Sequence, residues 1–486
     1  MQSTSGASDD PFDQFLKPPA NETVTDRRER LRREADAKAV SEAINAQLRK
    51  ERTQMKKSAV KILLLGQAES GKSTTLKNFR LMFARDSWDA ERASWRAVIH
   101  LNIIRSVITI IKALQAELDG DPVLRPDTPD ERRPNSPAMT ESNTHDDPSS
   151  VLVSSSLLEK HARLKTRLPA LKRAFHELQI RLGEGAYEEF EGDASKSTGE
   201  GRQSRSGGRT EFCVRRLQEA LASAEEASRA QTDTPTEVLL GSLDDILAIW
   251  NDEESKVILK KRHVRLQEMV PAFLNDLGRI VQRTYTPTDN DVIRSRLRTV
   301  GVQEYRINVD GSSGNVGVNQ GRDWLIYDVG GSRTMRQAWV PYFDDVQAII
   351  FLAPISCFDE RLAEDSSVNR LEDSFILWRQ ICSSRLLSNA SLILFLNKCD
   401  LLRKKLKAGA RVERYLPSFA GRSNDLGTVV KYLREKFRIS SKDHSPMTRP
   451  CYIYPTSVID TEATAATVSA VKDGILRDYL RFVDLV

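Results

Sequence analysis

The run Val60-Lys61-Ile62-Leu63-Leu64-Leu65, closed by Gly66-Gln67-Ala68-Glu69-Ser70-Gly71-Lys72-Ser73, decides how this chain folds. The apolar residues read as a buried strand. The eight that follow fit G-x-x-x-x-G-K-[ST], in which glycines let backbone N–H groups curl around phosphate oxygens. The next helix presents its positive end, Lys72 reaches the β/γ oxygens, and the Ser73 hydroxyl suits a Mg²⁺ ion. Strand, glycine turn and helix in that order open a nucleotide-binding α/β domain.

Upstream, Asp26 to Lys57 contains no Pro or Gly, and Val40, Ile44 and Leu48 recur with Ala39, Ala43 and Ala46 at helical spacing, which predicts one long amphipathic helix over 26–57. Residues 1–25 are polar and read as a flexible tail. Downstream, Val98, Leu101, Ile104, Val107, Ile108, Ile111, Leu114 and Leu118 keep the 3.6-residue period of a core helix. Six prolines between Asp119 and Ser150 predict a disordered insertion. Helical patterns resume from Leu157 to about Leu182, lapse through a Gly/Ser/Arg-rich stretch near 192–210, and return from about Val214 to Val281. The expectation is an all-helical domain over 79–285 with a low-complexity insertion at about 119–235.

After Thr286 short β-rich runs alternate with helices: Val302 to Val309, Trp324 to Tyr327, Ala348 to Leu352, Leu392 to Leu396 and Cys451 to Tyr454. Alternation of this kind predicts a mostly parallel sheet covered by helices. Residues 58–78 and 286–486 therefore form one α/β domain that the helical block interrupts.

Composition narrows the function. Five Cys among 486 residues, without C-x-x-C spacing, argue against a disulfide framework or a zinc site and for a reducing compartment. No run approaches 18 consecutive apolar residues, so no membrane span is expected. A net charge of +5 is too weak for nucleic-acid binding unless it is concentrated. It is concentrated: Asp26 to Lys57 holds eleven Arg/Lys and six Asp/Glu, a local excess equal to that of the whole chain. A basic amphipathic helix can lie on anionic lipid or simply be solvated.

Two further motifs carry chemistry. Asn397-Lys398-Cys399-Asp400 follows a strand, and a carboxylate at Asp400 can accept from the N1–H and N2 amine of guanine, where adenine offers an acceptor and a bare carbon. Such a site rejects the wrong base by up to roughly 10⁴ to 10⁵. Tyr327-Asp328-Val329-Gly330-Gly331 supplies an acid able to hold a Mg²⁺ water and a Gly pair whose N–H can approach a γ-phosphate.

Together with Asp291-Val292-Ile293-Arg294-Ser295-Arg296-Leu297-Arg298-Thr299 and Leu362-Ala363-Glu364-Asp365, these motifs resemble a heterotrimeric G protein α subunit from about residue 35 onward, outside 119–235. The resemblance implies a Ras-like P-loop GTPase domain with an inserted all-α domain, Mg²⁺ as cofactor, GTP and GDP as ligands, and a Gβγ dimer, a membrane receptor and an unknown effector as partners. It assigns nucleotide contacts to Gly66, Glu69, Ser70, Gly71, Lys72, Ser73, Thr74, Arg294, Gly331, Asn397, Lys398, Asp400 and Val458, the last through an N–H facing the guanine carbonyl. Ser73, Thr299 and, through water, Asp328 would hold the metal. Arg296 matches the built-in arginine finger, with Lys72 and Glu69 beside it.

Departures matter as much. Ser332 stands where the family has a catalytic Gln, and a hydroxyl is too short to orient the same water, so slow hydrolysis is expected. Ala68 replaces a glycine, adding a Cβ near Arg296. Met335, Gln337 and Ala338 replace charged residues, while Arg333, Arg336 and Trp339 match, which leaves the Gβγ contact less secure. The chain begins Met1-Gln2 and has no Cys before Cys213, so neither N-myristoylation nor N-terminal palmitoylation is expected. A peripheral position at the cytoplasmic face of the plasma membrane, with a partly cytosolic pool, follows from the resemblance. Two functions fit: a cycling GTPase, or a GTP-dependent adaptor that has largely lost hydrolysis.

Overall fold

The structure of the protein, a computed structural model, describes residues 23–121, 153–182, 234–262, 264, 266, 270–299, 301–309, 323–362 and 364–482. The tail before residue 23, the Pro-rich stretch 122–152, the Gly/Ser/Arg-rich stretch, the segment up to 233 in which a return of helical pattern is expected, and Ala363 lie outside the described residues. Helix α1 (Val24–Ser58) is a unit by itself. It matches the helix expected at 26–57, but its amphipathicity is local. Val40 and Ile44 share a stripe, whereas Val24 and Leu31 fall on the opposite side, and all four are exposed.

From Val60 onward, six strands form one sheet: β1 (Ala59–Gly66), β2 (Val302–Asn308), β3 (Asp323–Val329), β4 (Ala348–Pro354), β5 (Ser391–Asn397) and β6 (Cys451–Pro455), in the order β2-β3-β1-β4-β5-β6. β1, β4, β5 and β6 are parallel; β2 runs antiparallel to β3, pairing Val302 with Val329 and Asn308 with Asp323. The strands β4 and β5 are buried throughout, as expected of central strands covered on both faces. The edge strand β2 instead alternates, burying Val302, Tyr305 and Ile307 and exposing Arg306 and Asn308.

Period-two alternation divides the core. Leu63, Leu65, Ile349, Phe351, Leu392 and Leu394 face one layer, built with α13 (Arg370–Ser383), α14 (Cys399–Lys407) and α15 (Leu426–His444). Ile62, Leu64, Ile350, Leu352, Ile393 and Phe395 face the other, built with α2 (Lys72–Phe83) and α16 (Thr461–Phe482).

A third core is helical. It gathers α3 (Arg85–Glu91), α4 (Trp95–Leu118), α5 (Ser155–Thr166), α6 (Leu168–Leu182), α7 (Thr234–Leu240), α8 (Leu243–Trp250), α9 (Glu253–Lys261), α10 (Val270–Asn275), α11 (Leu277–Ile280) and α12 (Asp289–Arg294). The stretch Arg85–Leu118 is apolar and long enough to cross a membrane, yet 72% of its most apolar window is buried inside the protein, and α4 is its central core helix. Helices α5 and α6 occupy part of the span read as low-complexity; Leu157, Leu164, Leu171, Ala174, Phe175 and Leu178 are buried there. The two chain crossings are clasped together: Asp289 accepts from Trp88 Nε1 at 2.8 Å and from Arg85 at 2.9 Å.

Candidate functional site

The carboxyl ends of the parallel strands gather the loops that the motifs predict, as α/β sheets do. The phosphate loop joins β1 to α2. Gly71 begins that helix with φ 102°, and a Cβ there would lie 2.4 Å from Asn397 Nδ2, so glycine is needed on both counts. The Lys72 ammonium donates to the carbonyls of Gly66 (3.0 Å) and Gln67 (2.7 Å). Burial pushes its pKa down to about 8, against the pull of Asp328 and with the repulsion of Arg336.

Ser73, Thr299 and Asp328 converge from three elements. Ser73 Oγ donates to Asp328 Oδ2 at 2.7 Å and lies 2.9 Å from Thr299 Oγ1, which donates to the same carboxylate oxygen at 3.2 Å. Asp328 is buried, its pKa raised by desolvation against the favourable pull of Lys72 and the two hydroxyls, and its Oδ1 has no protein partner. Two hydroxyls and a carboxylate with a spare buried oxygen are the hard, all-oxygen set that a partly hydrated Mg²⁺ takes, so these residues fit the ion.

At the ends of β5 and β6, Asn397 is a buried tie between loops. Its Nδ2 donates to Ser70 O at 2.8 Å, and its Oδ1 accepts from Thr456 Oγ1 (3.2 Å) and Val458 N–H (3.3 Å). The Val458 N–H, which the resemblance turns toward the guanine carbonyl, donates to Asn397 in this structure. Lys398, at φ 66°, turns the chain from β5 into α14. Asp400 receives no side-chain donor at its buried Oδ1, while its N–H donates to Ser457 Oγ at 3.0 Å. A carboxylate oxygen desolvated and unpartnered is costly unless something supplies a donor, which a guanine edge does. Ser70 Oγ and Arg294 Nε are likewise buried without partners, and Thr74 offers its carbonyl to Asn78 Nδ2 at 3.0 Å.

Arg296 Nη1 donates to Glu69 Oε1 at 2.6 Å. Burial would raise the Glu69 pKa, but Arg296 and Arg370 outweigh it and bring it to about 2. The Gly330-Gly331 loop packs directly on the phosphate loop: Gly331 O accepts from Ala68 N–H at 3.0 Å, and a Cβ on Gly331 would lie 2.4 Å from Lys72 Nζ. Ser332 Oγ sits 3.3 Å from Thr334 Oγ1. Arg336 pairs with Asp373 at 2.5 Å, Arg333 with Asp365 at 2.9 Å, and Trp339 Nε1 donates to Gly330 O at 3.0 Å.

Sequence reasoning missed Gln67, Arg370, Asp373 and Asn102. Gln67, in a variable position of the motif, is buried and donates to Asp373 Oδ2 (2.5 Å) and Arg370 O (2.7 Å), joining the phosphate loop to the carboxylate that holds Arg336. Arg370 donates to Ala68 O at 3.0 Å. Asn102 bonds the backbone of Arg296. Only Asn102 left a signal, as a polar residue on the apolar stripe of α4 that must find a partner.

A phosphate cradle after β1 and an unpartnered carboxylate after β5, at the same edge of a mostly parallel sheet, are the arrangement of a guanine nucleotide-binding P-loop protein. Residues 38–475 match the family described as G-protein alpha subunit. The guanine nucleotide-binding protein alpha-4 subunit of Mycosarcoma maydis is 32% identical, with 98% of this chain and 96% of that protein covered. Subunit alpha-13 of Homo sapiens is 28% identical over 92% of this chain and 93% of its own. The alpha-3 subunit of Caenorhabditis elegans is 27% identical over 91% and 95%. The chain belongs to the G protein α-subunit family and is a guanine nucleotide-binding signalling subunit. Members of the family are GTPases, bind guanine nucleotides generally with Mg²⁺, and typically partner with Gβγ and receptors.

Proposed function

We propose that this α subunit is a slow GTPase switch, receptor-driven and Gβγ-linked, whose GTP-bound form outlives that of a subunit with glutamine after Gly331. The observation that carries the reading is Ser332: its hydroxyl lies beside Thr334 and has neither the reach nor the paired donor and acceptor of an amide to orient water against a γ-phosphate. Arg296 supplies the charge that the transition state needs, Lys72 cradles the β/γ oxygens, and Asp400 reads guanine. Ser73 and Thr299, with Asp328 through water, would hold Mg²⁺, which when bound neutralises charge developing on the phosphate oxygens. Glu69 competes with the phosphate for the Arg296 guanidinium.

The deciding measurement is single-turnover phosphate release from GTP-loaded protein. Ser332→Gln is expected to speed it by about a hundredfold, the contribution of a positioned water-orienting group. Equal rates in the two proteins would overturn the slow-switch reading. No release from the natural protein over many hours would make it a GTP-dependent adaptor. Membrane attachment at the cytoplasmic face belongs to the same reading and rests on the basic residues concentrated in α1.

A further inference from the structure

The segment that carries Arg296 is anchored from three sides. Lys77, buried in α2, donates to Val292 O and Ser295 O at 2.8 Å each and fixes the residue just before Arg296. Glu69 of the phosphate loop takes the guanidinium, on a side chain that is still 32% exposed. The third anchor is Asn102 of α4, 1% exposed, which meets both polar groups of the Arg296 peptide: its Oδ1 accepts the Arg296 N–H at 2.7 Å, and its Nδ2 donates to the Arg296 carbonyl at 2.8 Å. A primary amide carries a donor and an acceptor side by side and so satisfies an N–H and a C=O of one residue together.

We propose that Asn102 is a positioning residue for hydrolysis, through which the helical domain holds the Arg296 backbone so that only the side chain moves between Glu69 and the reacting phosphate. A guanidinium delivered from a fixed Cα arrives with its orientation already set, and misplacement by about 1 Å costs on the order of 10²-fold in rate. The amide does not serve α4 itself, because both bonds leave the helix for one residue 194 positions away. With Ser332 in place of glutamine, more of the remaining rate depends on this placement than in a subunit that retains the amide. The inference rests on Arg296 being the arginine finger.

A double-mutant cycle tests both layers. Single-turnover GTP hydrolysis is measured for the full chain, N102A, R296A and the double variant, with GTPγS stoichiometry reporting the folded fraction; N102D, which keeps the oxygen facing the Arg296 N–H, is the isosteric control. Affinity for GDP with aluminium fluoride is read in parallel, so that a rate too slow to time still yields a cycle. N102A is expected to slow turnover about tenfold to a hundredfold, N102D less, and the double variant no more than R296A alone. A wild-type rate in N102A, or an equal further loss when N102A is added to R296A, overturns the proposal. A wild-type rate in R296A removes the arginine-finger reading and the proposal with it, whereas R296A slow beside N102A at full rate removes the proposal alone.

Discussion

Gly331 shows how much one absent methyl group carries. Its carbonyl bonds Ala68 N–H, and an added Cβ would lie 2.4 Å from Gln67 C and Lys72 Nζ and 2.5 Å from Ala68 N. Two of these are backbone atoms that cannot give way. Gly331→Ala should therefore force the loop off the phosphate loop and destabilise the fold by about 1 to 3 kcal/mol, read from chemical denaturation; an unchanged midpoint would show that the loop repacks freely. Ser332, one residue on, is half-buried, with its hydroxyl beside that of Thr334, so Ser332→Gln should change rate far more than stability. At this scale the motifs stood out because binding phosphate, metal or base demands a fixed chemical group, and the structure brings their residues to one edge of the sheet. Gln67 did not, since a variable motif position carries no information about what lies behind it, and Asp373 is 306 residues away.

Elements were easier to read than their partners. Central strands such as Leu392 to Leu396 appear within a residue of their observed limits, since a strand covered on both faces must be continuously apolar. The antiparallel β2–β3 pairing was not legible, because direction depends on where the chain returns and leaves no mark on hydrophobic period. Helix α12 illustrates a local device with a long reach. Thr288 and Asp291 form a capping box, and Asp291 also accepts both Arg279 nitrogens at 2.9 Å and the Tyr285 hydroxyl at 3.0 Å. Burial alone would raise the Asp291 pKa, but Arg279 and Thr288 bring it to about 2. A folded-state pKa below the unfolded value of about 4 means stabilisation present in full above that pH and lost as pH falls through about 2. Asp291→Asn should cost about 2 to 3 kcal/mol at neutral pH and flatten the acid limb of a stability–pH curve between those values; an unchanged limb would assign acid sensitivity elsewhere.

At the scale of the whole chain, charge and length are both unevenly placed. The basic excess resides in α1, where Arg27, Arg28, Arg30, Arg32 and Arg33 lie within two turns. Attraction to an anionic surface is worth about 1 kcal/mol per basic residue, so replacing all five by Gln should abolish binding to phosphatidylserine vesicles at low salt. Unchanged vesicle binding would make those arginines merely solvated. The surplus length is concentrated between α4 and α7, and the fold accommodates it for a reason visible at Asp289. Because Trp88 and Arg85 meet Asp289, the helical block enters and leaves the sheet domain through one narrow neck. The entropic cost of lengthening the connection after Asp121 grows slowly with the number of residues. A lineage can thus rewrite that connection, and an engineer can splice a reporter domain into it, while the register of Arg296 against the phosphate loop is left as it was.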